Sequence, residues 1–265
     1  MPIVDMHAHI YPEKIADKAT QSVGQFYNIP MQGEVGNIAT LRQLRDTSPI
    51  THNVVCSVAV KPQTVTSIND FIASTVTEDS TLIGLAAMHQ DFTDIESELD
   101  RITALGLRGV KLHPDSQAVN MDDPRLMRLY ESCERRGLAV LIHCGDYRYD
   151  YSHPHRLKRI LHEFPQLRVC AAHFGGWSLF DLALEFLEHE HCYLDVSSSM
   201  FALGLRRTRE LIEDYTPSRI LFGSDFPMWN PESEYSRFSS LAFSDASKEL
   251  MTWRNAESWL ACDIN

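Results

Sequence analysis

His7 and His9 stand two residues apart in Pro2-Ile-Val-Asp-Met-His-Ala-His-Ile10. On a β-strand, side chains at i and i+2 point to the same face, so both imidazoles converge on one point. A metal ion needs that arrangement. Further along the chain, short apolar runs end in His113, His143, His173 and Asp225. A catalytic zinc takes about three protein ligands from His, Asp or Glu and leaves one position open to water. His7, His9, His143 and Asp225 supply such a set. Neutral imidazoles with one carboxylate leave a divalent cation positive, which would bring a bound water toward a pKa of about 7. The expected cofactor is one Zn2+ per chain, with Mn2+ or another divalent ion as substitutes. Asp225 would take the proton of that water and pass it to a leaving group. His173 would polarise a substrate oxygen or shuttle protons.

Lys111 and His113 are again two apart and share a face. They open a second possibility, a carboxylated Lys111 bridging two ions, against a free ammonium that meets the substrate. The free lysine and the single ion are the reading adopted. For substrate contacts, Arg148 and Tyr147 lie in Gly145-Asp-Tyr-Arg-Tyr-Asp-Tyr151, where an arginine among aromatics suits a carboxylate on an unsaturated ligand. Trp177, Met228 and Trp229 follow strand candidates and suit an apolar pocket wall. Ser197, Ser198 and Ser199 follow another and could line the pocket. No G-x-S-x-G elbow exists, which removes a serine hydrolase. His153, His155, His189 and His191 sit in polar surroundings and read as solvated; His52, His89 and His162 show no partner pattern.

Positioning these groups requires strands that all end at one rim. Strand candidates are Pro2–His7, Asn53–Val60, Leu82–Met88, Leu107–His113, Leu138–His143, Leu167–His173, Cys192–Val196 and Arg219–Phe222. Most are continuous apolar runs, the pattern of strands buried on both faces as in parallel sheets. Helical patterns separate them at Asn37–Arg45, Asp94–Leu105 (Asp94 as N-cap, Gly106 as stop), Pro124–Arg136, Pro154–Phe164, Leu179–His189, Leu203–Tyr215 and Ser247–Ala261. Eight strands alternating with helices predict an α/β fold, a single (β/α)8 TIM barrel over residues 1–265 with the metal site at the C-terminal rim. No G-x-G-x-x-G or Walker loop follows a strand, against a nucleotide fold. Tyr11–Gly36 reads as a long irregular loop over the rim, placed to act as a lid.

Composition narrows the partners. A formal charge of −12 argues against nucleic acid and against an anionic membrane surface. No run approaches the ~18 apolar residues of a membrane span, and no basic segment with an apolar run opens the chain. None of the six cysteines forms a C-x-x-C pair, which reads as reduced core thiols in a cytoplasmic protein. The partner is then a small-molecule substrate. Barrels of this size often form homodimers, but no motif marks an interface.

Asp5-Met-His-Ala-His9, Gly109-Val-Lys-Leu-His-Pro114, Ile142-His143, Phe164-Pro165, Ala172-His-Phe-Gly-Gly176 and Leu221-Phe-Gly-Ser-Asp-Phe-Pro227, with Asn255-Ala256 and Trp259-Leu260 near the end, together resemble the amidohydrolase superfamily. The chain looks most like its amidohydrolase-related group of metal-dependent TIM-barrel hydrolases, which is akin to aminocarboxymuconate semialdehyde decarboxylase. The resemblance implies a metal pair at His7 and His9, further ligands at His143 and Asp225, and a functional His173. It implies hydrolysis of an ester, lactone or amide-type bond, or non-oxidative decarboxylation of an unsaturated or aromatic acid. The chain is short for that group's decarboxylases, so hydrolysis is the expectation, with a catalytically silent metal-binding barrel as a third reading.

Overall fold

Short strands of two to six residues pair side by side into one ring in the computed structural model, which describes residues 2–31 and 34–264. The strands are β1 (Val4–His9), β2 (His52–Cys56), β3 (Leu82–Ala87), β4 (Gly109–Leu112), β5 (Ala139–Ile142), β6 (Val169–Ala171), β7 (Tyr193–Asp195) and the short β8 (Ile220–Leu221). Their spatial order is the sequence order, and every neighbouring pair is parallel. The ring closes between β8 and β1: Met6 N donates to Phe222 O at 2.9 Å, Asp225 N to His7 O at 2.8 Å and His9 N to Phe226 O at 2.6 Å. This is the (β/α)8 barrel that the alternation predicts.

The outer layer is α1 (Glu13–Tyr27), α2 (Ile38–Asp46), α3 (Val65–Thr77), α4 (Ile95–Ala104), the single-turn α5 (Pro114–Gln117), α6 (Pro124–Arg136), α7 (Pro154–Glu163), α8 (Phe180–Leu187), α9 (Met200–Tyr215), α10 (Pro231–Ser239), α11 (Asp245–Glu249) and α12 (Asn255–Leu260). The end signals read in the sequence operate as expected. The Asp94 carboxylate caps α4 by accepting from Ser97 N, and Gly137, at φ 63°, closes α6.

Alternate strand residues divide between two apolar groups. Val55, Val110, Val140, Ile142, Val169, Ala171, Leu194 and Ile220 pack outward with the helices. Val4, Met6, Val54, Leu85, Ala139, Leu141, Cys170 and Leu221 form the interior group together with Trp253, Ala256, Trp259 and Leu260. These last residues cover the N-terminal mouth: Trp259 Nε1 donates to Arg168 O at 3.1 Å and Asn255 Nδ2 to Ile220 O at 2.7 Å, both at strand starts. β1 breaks the alternation. Its register against β2 shifts between Asp5 and Ala8, a bulge that lets both Met6 and His7 serve the interior while Ala8 and Ile10 pack outward.

Three departures from the sequence reading have physical causes. Tyr11–Gly36 is not irregular throughout, because α1 fills its first half; Gln32 and Gly33 lie outside the described residues. The buried face of α1 is Ala16, Thr20 and Gly24, a stripe of small residues at helical spacing without the large apolar side chains that mark a helix in sequence. A Cβ on Gly24 would stand 2.8 Å from Ile29 O, so glycine there reflects close approach of chain, not a helix stop. Second, α3 and α10 are additional helices. Third, α9 starts at Met200 and is interrupted at Gly204, where φ is 68°.

All six cysteines are unpaired, and among the described residues no helix is long and apolar enough to cross a membrane. Trp259 is fully buried in the mouth-covering group. Trp259→Ala is expected to destabilise the barrel by about 3–5 kcal/mol, read as a fall in the urea midpoint with unchanged slope.

Candidate metal centre

All strands run the same way, so β1, β4, β5, β6, β7 and β8 deliver their terminal side chains to one rim. The tightest convergence joins β1 and β8. His7 Nε2 and His9 Nε2 are 3.1 Å apart, and each is 3.5 Å from Asp225 Oδ1. An ion with ligand bonds of about 2.0–2.1 Å in a tetrahedral shell holds its ligand atoms about 3.3 Å from one another. The donor set and its spacing therefore fit a divalent cation. His7 is fully buried, and the Asp225 side chain is 15% exposed.

The opposite ring nitrogens explain why these faces point inward. His7 Nδ1 donates to Asp195 Oδ2 at 3.0 Å, His173 Nδ1 to Ser197 O at 2.9 Å and His143 Nε2 to Gly145 O at 3.0 Å. With those nitrogens carrying the protons, the free lone pairs are on His7 Nε2, His173 Nε2 and His143 Nδ1. The last two face each other at 3.1 Å. Two lone pairs at that distance repel unless a cation or a proton lies between them. Lys111 Nζ, 2.9 Å from His7 Nε2, presents positive charge to the same cluster. Backbone strain accompanies the arrangement: His173 and Asp225 adopt φ of 59° and 62°, the left-handed region that non-glycine residues seldom occupy.

Burial favours the neutral form of four of these imidazoles, as ligation requires. It holds His9 and His113 well below the usual histidine range, with Lys111 adding to the effect. Burial and neighbouring imidazoles do the same to His143, and burial lowers His173. Asp195 behaves in the opposite sense. Burial alone would push its carboxyl up, but His7, His173 and the Ser197 hydroxyl beside it hold it well below the carboxylate range. It stays an anion, accepting from Ser197 Oγ at 2.5 Å and from the backbone N–H groups of His173 and Ser197 at 3.0 Å. Asp115 has weaker support and is pushed up to about 7 by burial. It accepts from Ser152 Oγ at 2.5 Å and lies 3.4 Å from His143 Nε2.

Around this centre the structure gathers Tyr27, Ile29, Trp177, Ser198, Met228 and Trp229. Ser198 Oγ donates to Asp225 Oδ2 at 2.5 Å and accepts from Trp229 Nε1 at 2.7 Å. His113 is engaged elsewhere. Its Nδ1 accepts from Ser116 N at the start of α5, its Nε2 meets Tyr27 OH at 2.6 Å, and its ring stacks on His143 with centroids 4.0 Å apart. Of the Lys111–His113 pair, only Lys111 touches His7. Arg148 and Tyr147, expected at the substrate, are placed differently. The Arg148 guanidinium donates to both oxygens of the buried Asp146 and to Phe26 O, and Tyr147 is 72% exposed. The Nε and Nη2 fork of Arg148 is thereby committed to Asp146.

Asp195, Asp115, Ser152 and Tyr27 escaped the sequence reading, whereas Ser197, read there as a pocket residue, instead supports Asp195 and His173 from behind. Asp195 carried a usable signal, because it ends β7 as Asp225 follows β8. Asp115, in α5, and Ser152, on the loop after β5, approach one another only through folding.

Residues 4–261 match the Amidohydro_2 amidohydrolase family model. Over 145 residues the chain is 31% identical to the 2-amino-3-carboxymuconate-6-semialdehyde decarboxylase of Dictyostelium discoideum, covering 46% of this chain and 40% of that protein. The match thus spans less than half the length of that relative. Among solved structures, a dihydroxybenzoic acid decarboxylase from Polaromonas sp. JS666, with bound manganese and the inhibitor 2-nitroresorcinol, superposes with a TM-score of 0.77 at 18% identity, covering 98% of this chain and 97% of that one. The 5-carboxyvanillate decarboxylase of Sphingomonas paucimobilis gives 0.78 at 17% identity, covering 99% of both. At those identities the likeness is one of fold.

Two outcomes follow from the carboxylates. Asp195→Asn should weaken Zn2+ or Mn2+ binding about 10- to 100-fold in a direct titration, since the His7 ring loses its anionic anchor. Asp115 is protonated in the native state up to about pH 7, whereas in the unfolded chain it ionises near 3.9. Its contribution to stability is therefore full below pH 4 and lost as pH rises toward 7. In metal-free protein, the stability of Asp115→Asn relative to wild type should rise by about 1.4 kcal/mol per pH unit between pH 4 and 7, then level off. Urea unfolding across pH measures this, and a constant difference would contradict it.

Proposed function

The chain belongs to the amidohydrolase family, and from that premise we propose that it is a metal-dependent decarboxylase of a small unsaturated or aromatic carboxylic acid. The sequence alone favoured hydrolysis. The observation that carries the revision is the makeup of the site: aromatic and thioether walls from Tyr27, Trp177, Met228 and Trp229 around buried cationic chemistry, with room for about one water molecule. Such walls suit a planar ligand and keep bulk water from its charged group. The decarboxylase names of the relatives point the same way.

His7, His9, His143 and Asp225 would hold the ion, one per chain, with zinc or manganese as candidates. When bound, the ion supplies fixed positive charge for a substrate oxygen. The remaining chemistry belongs to side chains. Lys111, 1% exposed, gives a second positive charge at the cluster for the substrate anion. His173, with Nδ1 fixed on Ser197 O, presents Nε2 to the pocket. An anionic substrate raises the proton affinity of that nitrogen, which delivers a proton to the carbon bearing the carboxylate. The new C–H bond forms from a π-electron pair of the substrate, the carbon–carboxylate bond then breaks with its electron pair restoring the π system, and CO2 leaves: R–COO− + H+ gives R–H + CO2. Six unpaired thiols support a reducing, cytoplasmic setting.

Hydrolysis stays as a second reading because Asp225 Oδ1 stands 3.5 Å from both His7 and His9, placed to accept a proton from an attacking water. One experiment separates the two. Metal-loaded protein is screened against carboxyl-13C aromatic and unsaturated acids, and against lactones and esters, in H2-18O. Release of 13CO2 without 18O in the organic product is the expected result; 18O-labelled acid without CO2 would replace it by hydrolysis. With the active substrate, His173→Gln should lower kcat by about 10²- to 10⁴-fold while metal content holds.

A further inference from the structure

Tyr27, the last residue of α1, closes the candidate site. Its ring lies edge-on to Trp177 at 4.9 Å between centroids, and 6.1 and 6.0 Å from the stacked rings of His113 and His143. Its hydroxyl reaches His113 Nε2 at 2.6 Å and His143 Nδ1 at 3.5 Å. Burial pushes the phenol well above its usual range, so it remains a hydrogen-bonding group and not a phenolate. With Tyr27 in place the enclosed space is about 10 Å³. Pockets for organic ligands run to about 300 Å³ or more. The space that Tyr27 and its neighbours leave is far smaller than such a ligand needs.

The hold on Tyr27 comes from outside the barrel. Arg148, in the loop after β5, spreads its guanidinium over Phe26, Tyr27 and Tyr149 at 4.9, 5.4 and 5.2 Å from the ring centroids. It donates to Phe26 O and, from Nε and Nη2, to the fully buried Asp146 at 2.9 and 2.6 Å. The rest of α1 grips weakly, since it buries only Ala16, Thr20 and Gly24, which offer little apolar area. Just past Tyr27 the chain turns through Asn28 at φ 53°, a left-handed break at which the helix end can pivot. Arg148 thus ties the end of α1 to the loop after β5, where Phe26 also stacks on Tyr149 at 6.2 Å between centroids.

We propose that Tyr27 is a gate that substrate must displace and that Arg148 is its latch, so that release of the α1 end precedes substrate binding. This rests on the reading of the site as a pocket for a small organic acid. The latch decides how often the gate opens; Tyr27 decides what the shut pocket excludes.

Two measurements on the full chain test it. Salicylate, a fluorescent planar acid, is mixed with metal-loaded protein in a stopped-flow instrument. In wild type the observed binding rate should level off at high salicylate, because opening comes first, and Arg148→Ala should raise that plateau about tenfold. Tyr27→Phe, which loses the His113 contact but keeps the ring, should raise it less. Rates that climb linearly with salicylate and coincide in all three proteins overturn the gate. The second measurement is hydrogen exchange of metal-free protein. Peptides covering the last turn of α1 should exchange about tenfold faster in Arg148→Ala, with β4–β6 peptides unchanged; equal exchange overturns the latch. If salicylate binds none of the proteins while exchange responds as expected, the gate stands and the organic-acid reading of the site falls.

Discussion

The seam between β8 and β1 is where the fold and the site become the same object. Three backbone hydrogen bonds, from Met6, His9 and Asp225, close the ring there. The bond from Asp225 N to His7 O also sets the Asp225 carboxylate against the two imidazoles of β1. β8 itself is only two residues long, so the closing contacts continue past it into Gly223–Phe226. Ser224 binds this stretch to β1 a second time, through its backbone N–H and its hydroxyl to the Asp5 carboxylate at 2.8 and 2.6 Å. Burial pushes Asp5 up to about 6, and these bonds pull against that shift. A barrel open at this seam would lose its parallel closure and its best ligand trio together.

Desolvation is the second theme. The rim holds His7, His9, His113, His143, His173 and Lys111, nearly all out of contact with water. Burial of this kind favours neutral rings and makes every charge left unpaired costly. Asp195 is the counterweight, an anion held by two backbone N–H groups and a serine. It fixes the His7 ring from behind, while carbonyl oxygens of Ser197 and Gly145 do so for His173 and His143. A divalent ion completes this pattern better than protons do, because it satisfies several lone pairs from one position.

Around that rigid centre the loops differ in character. Those after β4 and β7 lie against the barrel and supply Asp115, Ser197 and Ser198. The stretch after β1 forms a helix whose small-residue face attaches it lightly and whose end carries Tyr27 into the pocket. Rigidity near the ligands and looseness at the mouth suit a site that must both hold its groups in place and admit a ligand.

By itself the sequence determined the strand order, the barrel and the positions whose side chains meet at the rim. Buried parallel strands read as continuous apolar runs, and residues that end such strands share one rim whatever the loops do. His7-Ala8-His9 announces convergence because alternation along a strand is a local property. Capping residues such as Asp94 and Gly137 are legible for the same reason. Only the tertiary structure decided which nitrogen of each imidazole faces inward, since that depends on Asp195, Ser197 O and Gly145 O, each brought to its histidine by its own loop or strand end. It decided that a bulge turns Met6 and His7 to one side, that Arg148 meets Asp146 and Phe26, and that Tyr27 lies across the pocket. These are contacts between segments far apart in the chain or choices of loop conformation, and no local period in the sequence encodes either.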